Sequence, residues 1–215
     1  GGFATGWMDL AAAFETGKVS DNDGCLVGTL DSSLNSVITG TFGTKRNVEK
    51  DPLTKKEEKK LHKKRKSDVV WLDDRWIYKE IQPYIHEANF QAGWNFQWDW
   101  SEKIQFTKYK VKGYYGWHSD SFDKPYEDTT DINFLGKIRK LSVTCQLSDS
   151  VDYKGGELEF QPRNKDNPNL TIQCKEILPK GSIIVFPSHV WHRVKPITKG
   201  IRHSLVLWNL GYPFK

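Results

Sequence analysis

His118, Asp120 and His192 are the residues of this chain whose types and spacing could do chemistry together. His118 and Asp120 stand two positions apart at the end of the stretch 109–120. On an extended strand, residues i and i+2 point to the same face, so an imidazole and a carboxylate can converge on one point. Two such ligands need a third to hold a metal. His192, in Val190-Trp191-His192-Arg193-Val194, is the candidate. Two histidines and one carboxylate make the facial triad that suits non-haem ferrous iron and leaves coordination positions open for a cosubstrate and dioxygen. A His-x-Asp pair on its own is commonplace and says little. The pattern around and after it gives it meaning.

Residues 192–197 and 201–209 flank Thr198-Lys199-Gly200, a turn with glycine, and read as the two arms of a hairpin. With the turn centred on Lys199, Pro196 faces Arg202, Val194 faces Ser204 and His192 faces Val206. Directly opposed residues share a face. His192, Arg202 and Ser204 are therefore expected to point inward together. An inward guanidinium in an apolar interior is costly unless an anion meets it. No carboxylate lies on this hairpin. A dicarboxylate cosubstrate would serve, one end on the metal and the far carboxylate in a forked contact with Arg202. Ser204 can add a hydroxyl hydrogen bond. Taken alone, Arg202 reads as a surface strand residue; taken with the other three, it reads as an anion site. His189 competes with His192 for the third ligand place, but at three residues' distance it faces the other side of a strand. His203 should face outward, and His62 and His86 read as surface residues.

The elements that must position these groups are mostly strands. Residues 69–72 read as a buried strand, and Asp73 or Asp74 caps a helix running to about residue 92. In that helix Trp76, Ile77, Ile81, Tyr84, Ile85 and Ala88 recur at helical spacing, with Pro83 as a possible kink. Residues 95–100 alternate apolar and polar. Strands follow at 104–112, 137–147, 157–161, 170–177, 182–186, 192–197 and 201–209, with Gly155-Gly156 and Lys180-Gly181 as turns. So many short strands with regular turns imply a barrel or sandwich. Upstream, residues 30–42 and 54–65 read as helices, the second from the capping-box spacing of Thr54 and Glu57.

The chain has 215 residues and a formal charge of +5. Eleven of its 32 basic residues lie within 45–66, against four acidic ones, so the remainder is slightly acidic. That distribution argues against a basic nucleic-acid-binding surface across the body of the protein. The segment itself reads as a solvated face or, functionally, as a contact for phosphate or an acidic partner. Cys25, Cys145 and Cys174 form no CxxC pair, which argues against a disulfide framework or zinc finger and for a reducing, cytoplasmic compartment, or a host cell's cytoplasm if the source is viral. No run of about 18 apolar residues predicts a membrane span. The first residues, Gly1-Gly2-Phe3, do not read as a signal peptide, and a start without Met reads as trimmed.

The quoted residues also carry a resemblance. Tyr115-Gly116-Trp117-His118-Ser119-Asp120, Lys140-Leu141-Ser142, Gly155-Gly156-Glu157-Leu158, Phe186-Pro187, His192-Arg193-Val194 and Gly200-Ile201-Arg202-His203-Ser204 stand in one order and spacing. Together they resemble the Fe(II)- and 2-oxoglutarate-dependent dioxygenases of the prolyl 4-hydroxylase type, including phage and bacterial relatives. The resemblance covers residues 68–215 as the dioxygenase domain and leaves 1–67, with the basic segment 45–66, as an unassigned N-terminal extension. It implies a mainly β fold with flanking helices, a double-stranded β-helix of the jelly-roll or cupin-like kind. It implies Fe(II) held by His118, Asp120 and His192, and 2-oxoglutarate bound through Arg202. Tyr109 sits at the family's tyrosine position and Ser204 assists. Dioxygen is the second cosubstrate, and ascorbate restores the ferrous state.

The implied reaction decarboxylates 2-oxoglutarate to succinate and hydroxylates a C–H bond, foremost of a prolyl residue in a peptide or protein. A free amino acid, another small molecule or a nucleic acid are the alternatives. Nucleic-acid demethylases of this kind carry a second arginine six positions after the first; here that residue is Trp208. Halogenases lack the ligand carboxylate; here Asp120 is present. A non-catalytic binding module, with the basic segment as its working end, is the reading from another class, and the intact triad with Arg202 argues against it. Tyr114, Tyr115, Trp117 and Trp191 could wall a prolyl ring or simply pack. Residues 121–133, rich in Asp and Thr, read as a lid, and segment 45–66 could close over substrate as well.

Overall fold

A computed structural model describes residues 26–29, 64–121, 124–161, 167–175 and 177–214. The helices expected at 30–42 and through 54–63, together with Cys25, lie outside the described residues. Arg65 is described, and it belongs to a strand.

The larger of two main sheets is built from β1 (Leu26–Thr29), β3 (Asp68–Leu72), β5 (Ile104–Tyr109), β7 (Ile138–Gln146), β11 (Ser182–Pro187) and β14 (Arg202–Gly211), in the order β1-β11-β7-β14-β5-β3; β4 (Trp100–Ser101) pairs with the far end of β14. The smaller sheet runs β10 (Ile172–Gln173), β9 (Leu158–Gln161), β12 (Trp191–Val194), β6 (Tyr114–His118) and β2 (Arg65–Lys66). A third pair joins β8 (Tyr153–Gly155) to β13 (Ile197–Gly200). The two main sheets face each other as a jelly-roll-like β-sandwich, the mainly β fold that the strand pattern predicts.

One helix, α1 (Arg75–Gln91), covers the outer face of the larger sheet. Ile77, Ile81, Ile85 and Ala88 are fully buried, as their spacing of three and four residues dictates. Burying each isoleucine contributes about 1.5–3 kcal/mol. Asp74 takes the N-cap position in an extended conformation, but its side chain makes no capping bond. Asp73 pairs instead with Lys103 at 3.0 Å. The helix continues through Pro83. Pro83 is exposed, so the carbonyl it leaves without a partner can turn to water.

Two elements differ from the sequence reading. Residues 95–99 form no strand, and among the described residues of the 170–177 stretch only Ile172–Gln173 form a strand. The 192–209 segment is not a hairpin either. β12 pairs with β9 and β6, whereas β14 pairs with β5 and β7. The intervening β13 turns aside to pair with β8. His192 and Arg202 therefore sit in opposite sheets. The local sequence suited a hairpin turn, but the strand edges were already claimed by more distant partners.

Apolar side chains form two clusters. Leu141, Val143, Cys145, Leu205 and Leu207 pack with the α1 isoleucines on the outer side of the larger sheet. Tyr109, Leu158, Phe160, Phe186, Val194 and Ile197 pack between the sheets.

Candidate active site

The register of β6 and β12 sets the first two ligands side by side. His192 is the direct Cα partner of His118, and a register shift follows before Val194 meets Tyr115. Asp120 lies two residues beyond the end of β6, held where its N–H donates to the Ser188 carbonyl at 2.9 Å. One ligand atom from each of His118, Asp120 and His192 lies within 4.8 Å of the others. His118 Nε2 is 3.5 Å from Asp120 Oδ1, and His192 Nε2 is 3.5 Å from Asp120 Oδ2.

Each imidazole is oriented through its other nitrogen. His118 Nδ1 donates to the Gly116 carbonyl at 2.8 Å, and His192 Nδ1 donates to the Val190 carbonyl at 2.9 Å. Both rings are thereby held in the tautomer that presents the Nε2 lone pair to the common point. Asp120 Oδ2 accepts the Ser142 hydroxyl at 2.8 Å, and Ser142 also meets Ser188 at 2.9 Å.

Burial pushes the His192 imidazole down to about 4, aided by His118 and opposed by Asp120. The ring is neutral near pH 7, as a metal ligand must be. Burial acts to raise the Asp120 carboxyl, but His192, His118 and Arg139 outweigh it and hold the group below the usual carboxylate range. Phe160 and Phe186 flank His192, with Phe186 edge-on at a centroid distance of 4.8 Å from across the sandwich. The donor set fits ferrous iron: two imidazoles that aim Nε2 at a common point and one ionised carboxylate, with nothing else among the described residues joining the cluster.

Arg202 enters from the larger sheet. It is 1% exposed and the largest of the fully buried side chains. Its Nε donates to Gln146 Oε1 at 3.0 Å, its Nη2 has no hydrogen-bond partner, and no carboxylate pairs with it among the described residues. A buried, uncompensated guanidinium with an idle donor is the mark of an anion site. Gly156 leaves room for it. At φ +70°, a Cβ there would lie 3.3 Å from Arg202 Cδ and 2.3 Å from Ile197 Cδ1. Tyr109 is the direct partner of Arg202 on β5, its ring centroid 5.8 Å from the guanidinium carbon. Ser204, two residues on and fully buried, shares the Arg202 face of β14.

The structure brings together His118, Asp120 and His192, and separately Arg202, Tyr109 and Ser204. Tyr115 joins the first group, stacked on His118 at 3.6 Å. Trp117 and Trp191 do not join it. Each precedes an inward histidine by one position and so points to the opposite face. There Trp117 lies beneath the Arg193 guanidinium at 4.6 Å, and Trp191 is 39% exposed. His189 is exposed and outside the ligand cluster, and His203 stacks on Phe106 on the helix side, as expected of both. In the 121–133 stretch, Tyr126 is tied to Lys137 and Gly136 through its backbone and to Glu102 through its hydroxyl.

Sequence reasoning missed Ser142, Gln146 and Arg139. Arg139 makes a forked pair with Glu102 at 2.6 and 2.7 Å and stacks on Trp208 at 3.9 Å. The available signal was the run Ser142, Thr144, Gln146: polar residues every second position in a strand otherwise apolar.

No helix among the described residues is long and apolar enough to cross a membrane. Residues 104–209 match the family model described as the 2OG-Fe(II) oxygenase superfamily. A PKHD-type hydroxylase of Synechococcus sp. strain CC9902 is 40% identical over 110 residues, which are 51% of this chain and 41% of that protein. A PKHD-type hydroxylase of Sphingopyxis alaskensis is 32% identical over 135 residues, 61% of this chain and 56% of that protein. The chain thus spans about half the length of these curated relatives.

Among solved structures, a Pseudomonas putida prolyl-4-hydroxylase aligns with a TM-score of 0.60 at 18% identity, over 86% of this chain and 91% of that one. A prolyl hydroxylase in complex with a hypoxia inducible factor oxygen degradation domain peptide fragment, from Trichoplax adhaerens, aligns with a TM-score of 0.52 at 19% identity, over 86% and 83%. At such identities the likeness speaks for the fold. The stretch that matches the 2OG-Fe(II) oxygenase superfamily model, residues 104–209, holds every ligand of the site.

Proposed function

We propose that this protein is an Fe(II)- and 2-oxoglutarate-dependent dioxygenase that hydroxylates a C–H bond of a prolyl residue in a peptide or protein. The observation that carries the reading is the pairing of two features between the sheets. Three ligand atoms lie within 4.8 Å of one another, and a buried Arg202 has an idle Nη2 donor. His118, Asp120 and His192 would hold the metal, and Arg202 with Tyr109 and Ser204 would hold the far carboxylate of the cosubstrate. Iron bound there supplies the activation of dioxygen that is coupled to decarboxylation.

The chain's own groups do the rest. The two carbonyl acceptors fix the orientation of both imidazoles and aim their Nε2 atoms at the common point, and Ser142 steadies one oxygen of Asp120. Phe160 and Phe186 keep water from His192. A prolyl substrate is supported by the description of the similar folds as prolyl hydroxylases and by the PKHD-type hydroxylase relatives. The catalytic unit is taken as residues 68–215, with β1 and β2 of the preceding segment added to the sheet edges. A reducing, cytoplasmic setting suits a ferrous site.

The test is succinate release and a +16 mass shift on proline-containing peptides with Fe(II), 2-oxoglutarate and ascorbate. Absence of succinate across peptide and amino-acid substrates, from protein shown to be metal-loaded, sinks the assignment.

A further inference from the structure

The basic segment ends at β2, and there its last residues acquire a definite place. β2 runs antiparallel to β6, with Arg65 opposite Tyr115 and Lys66 opposite Tyr114. Gly113, just before β6, permits the approach: a Cβ there would lie 3.0 Å from the Lys66 carbonyl oxygen and 2.7 Å from that of Lys110.

The Arg65 side chain then crosses to the other sheet. Its Nε donates to Ser67 Oγ at 2.6 Å, Nη1 to Gln105 Oε1 at 2.9 Å and Nη2 to Thr107 Oγ1 at 3.2 Å. Gln105 and Thr107 are buried and bonded to each other at 2.9 Å. Three directed bonds thus fix the guanidinium plane. In that position its carbon lies 4.8 Å from the centroid of the Tyr115 ring, and that ring stacks on His118 at 3.6 Å with 15° between planes. Arg65, Tyr115 and His118 form one continuous stack that ends on a metal-ligand imidazole. The bond from His118 Nδ1 to the Gly116 carbonyl selects a tautomer, but a single hydrogen bond leaves the ring free to tilt. The stack supplies the second restraint.

We propose that Arg65 is a positioning residue of the metal centre, acting through Tyr115 to hold the His118 imidazole in its ligating orientation. The proposal rests on the ferrous-site reading above. It gives the end of the extension a task in the site although Arg65 lies outside the stretch the family model matches. Lysine cannot substitute, because the task needs a planar head with several donors in fixed directions.

The experiment titrates wild-type, Arg65→Lys and Arg65→Met apoproteins with Mn(II), read by electron paramagnetic resonance, and with Fe(II) under anaerobic conditions. Melting temperatures and succinate release are followed alongside. Lys110→Met serves as control, since it removes only the exposed Lys110–Asp68 pair at 2.8 Å on a neighbouring strand. Both Arg65 variants are expected to bind metal roughly tenfold more weakly, the loss typical of removing a partner that orients a ligand. The Fe(II) needed for half-maximal turnover rises by the same factor, while turnover at saturating Fe(II) is retained. Wild-type metal affinity in both Arg65 variants, or a loss no larger than that of Lys110→Met, overturns the proposal. Failure of the wild-type protein to bind either metal overturns the triad reading itself, and this inference with it.

Discussion

On β7, Leu141, Val143 and Cys145 point toward helix α1, while Ser142, Thr144 and Gln146 point between the sheets, and both sets are buried. β5 repeats the contrast, with Ile104 and Phe106 outward against Gln105 and Thr107 inward. β14 does so again with Leu205 and Leu207 against Arg202 and Ser204. One face of the sheet is a hydrocarbon core. The other is equally dry and carries hydroxyls, amides and a guanidinium. A buried polar group costs stability unless bonded, and here the bonds lead to the site. Ser142 reaches Asp120, Gln146 reaches Arg202, and Gln105 with Thr107 reaches Arg65. The helix-facing side keeps the sheet folded, and the inward side spends some of that stability on chemistry.

Substitutions on the two faces should therefore separate stability from turnover. The largest effect is expected from His192→Ala, which removes a ligand. Succinate release should vanish and anaerobic Fe(II) titration should lose its stoichiometric endpoint; retained turnover would refute the triad. Next comes Arg202→Met. Removing one partner of a desolvated charge pair costs about 3 kcal/mol, so the 2-oxoglutarate needed for half-maximal turnover should rise roughly 100-fold. The apoprotein should melt no lower than wild type, because the guanidinium lacks a compensating anion there; a clear drop in melting temperature would show that Arg202 serves the fold.

Ser142→Ala should weaken metal binding about tenfold by freeing Asp120, at a cost of only ~1 kcal/mol in denaturant unfolding. Unchanged metal affinity would mean that Asp120 is held by its backbone alone. Leu207→Ala, on the helix-facing side, should destabilise by about 2–5 kcal/mol. Turnover per folded molecule should stay as in wild type, and a loss of turnover at temperatures where the variant is folded would erase the contrast between the faces.

Much of this was legible beforehand because it is local. Period-two alternation is a property of the pleat, so it placed His118 with Asp120 on one face and Arg202 with Ser204 on another. The same alternation carries Trp117 and Trp191, one position from their histidines, to the opposite face, against the reading of them as walls for a prolyl ring. The helical spacing of Ile77, Ile81, Ile85 and Ala88 likewise fixed which side of α1 is buried. The chain alone thus determined the ligand types, their faces and the buried stripe.

Pairing was another matter. The turn at 198–200 suited a hairpin, yet Ile197, Lys199 and Gly200 pair with β8, and His192 meets His118 across more than 70 residues of intervening chain. The positions of Arg65 against Tyr115 and of Ser142 against Asp120 were equally out of reach. Side-chain alternation follows from the geometry of each residue and its immediate neighbours. Which edges join follows from closing all the strands into one sandwich at once, a condition that no short stretch of sequence contains.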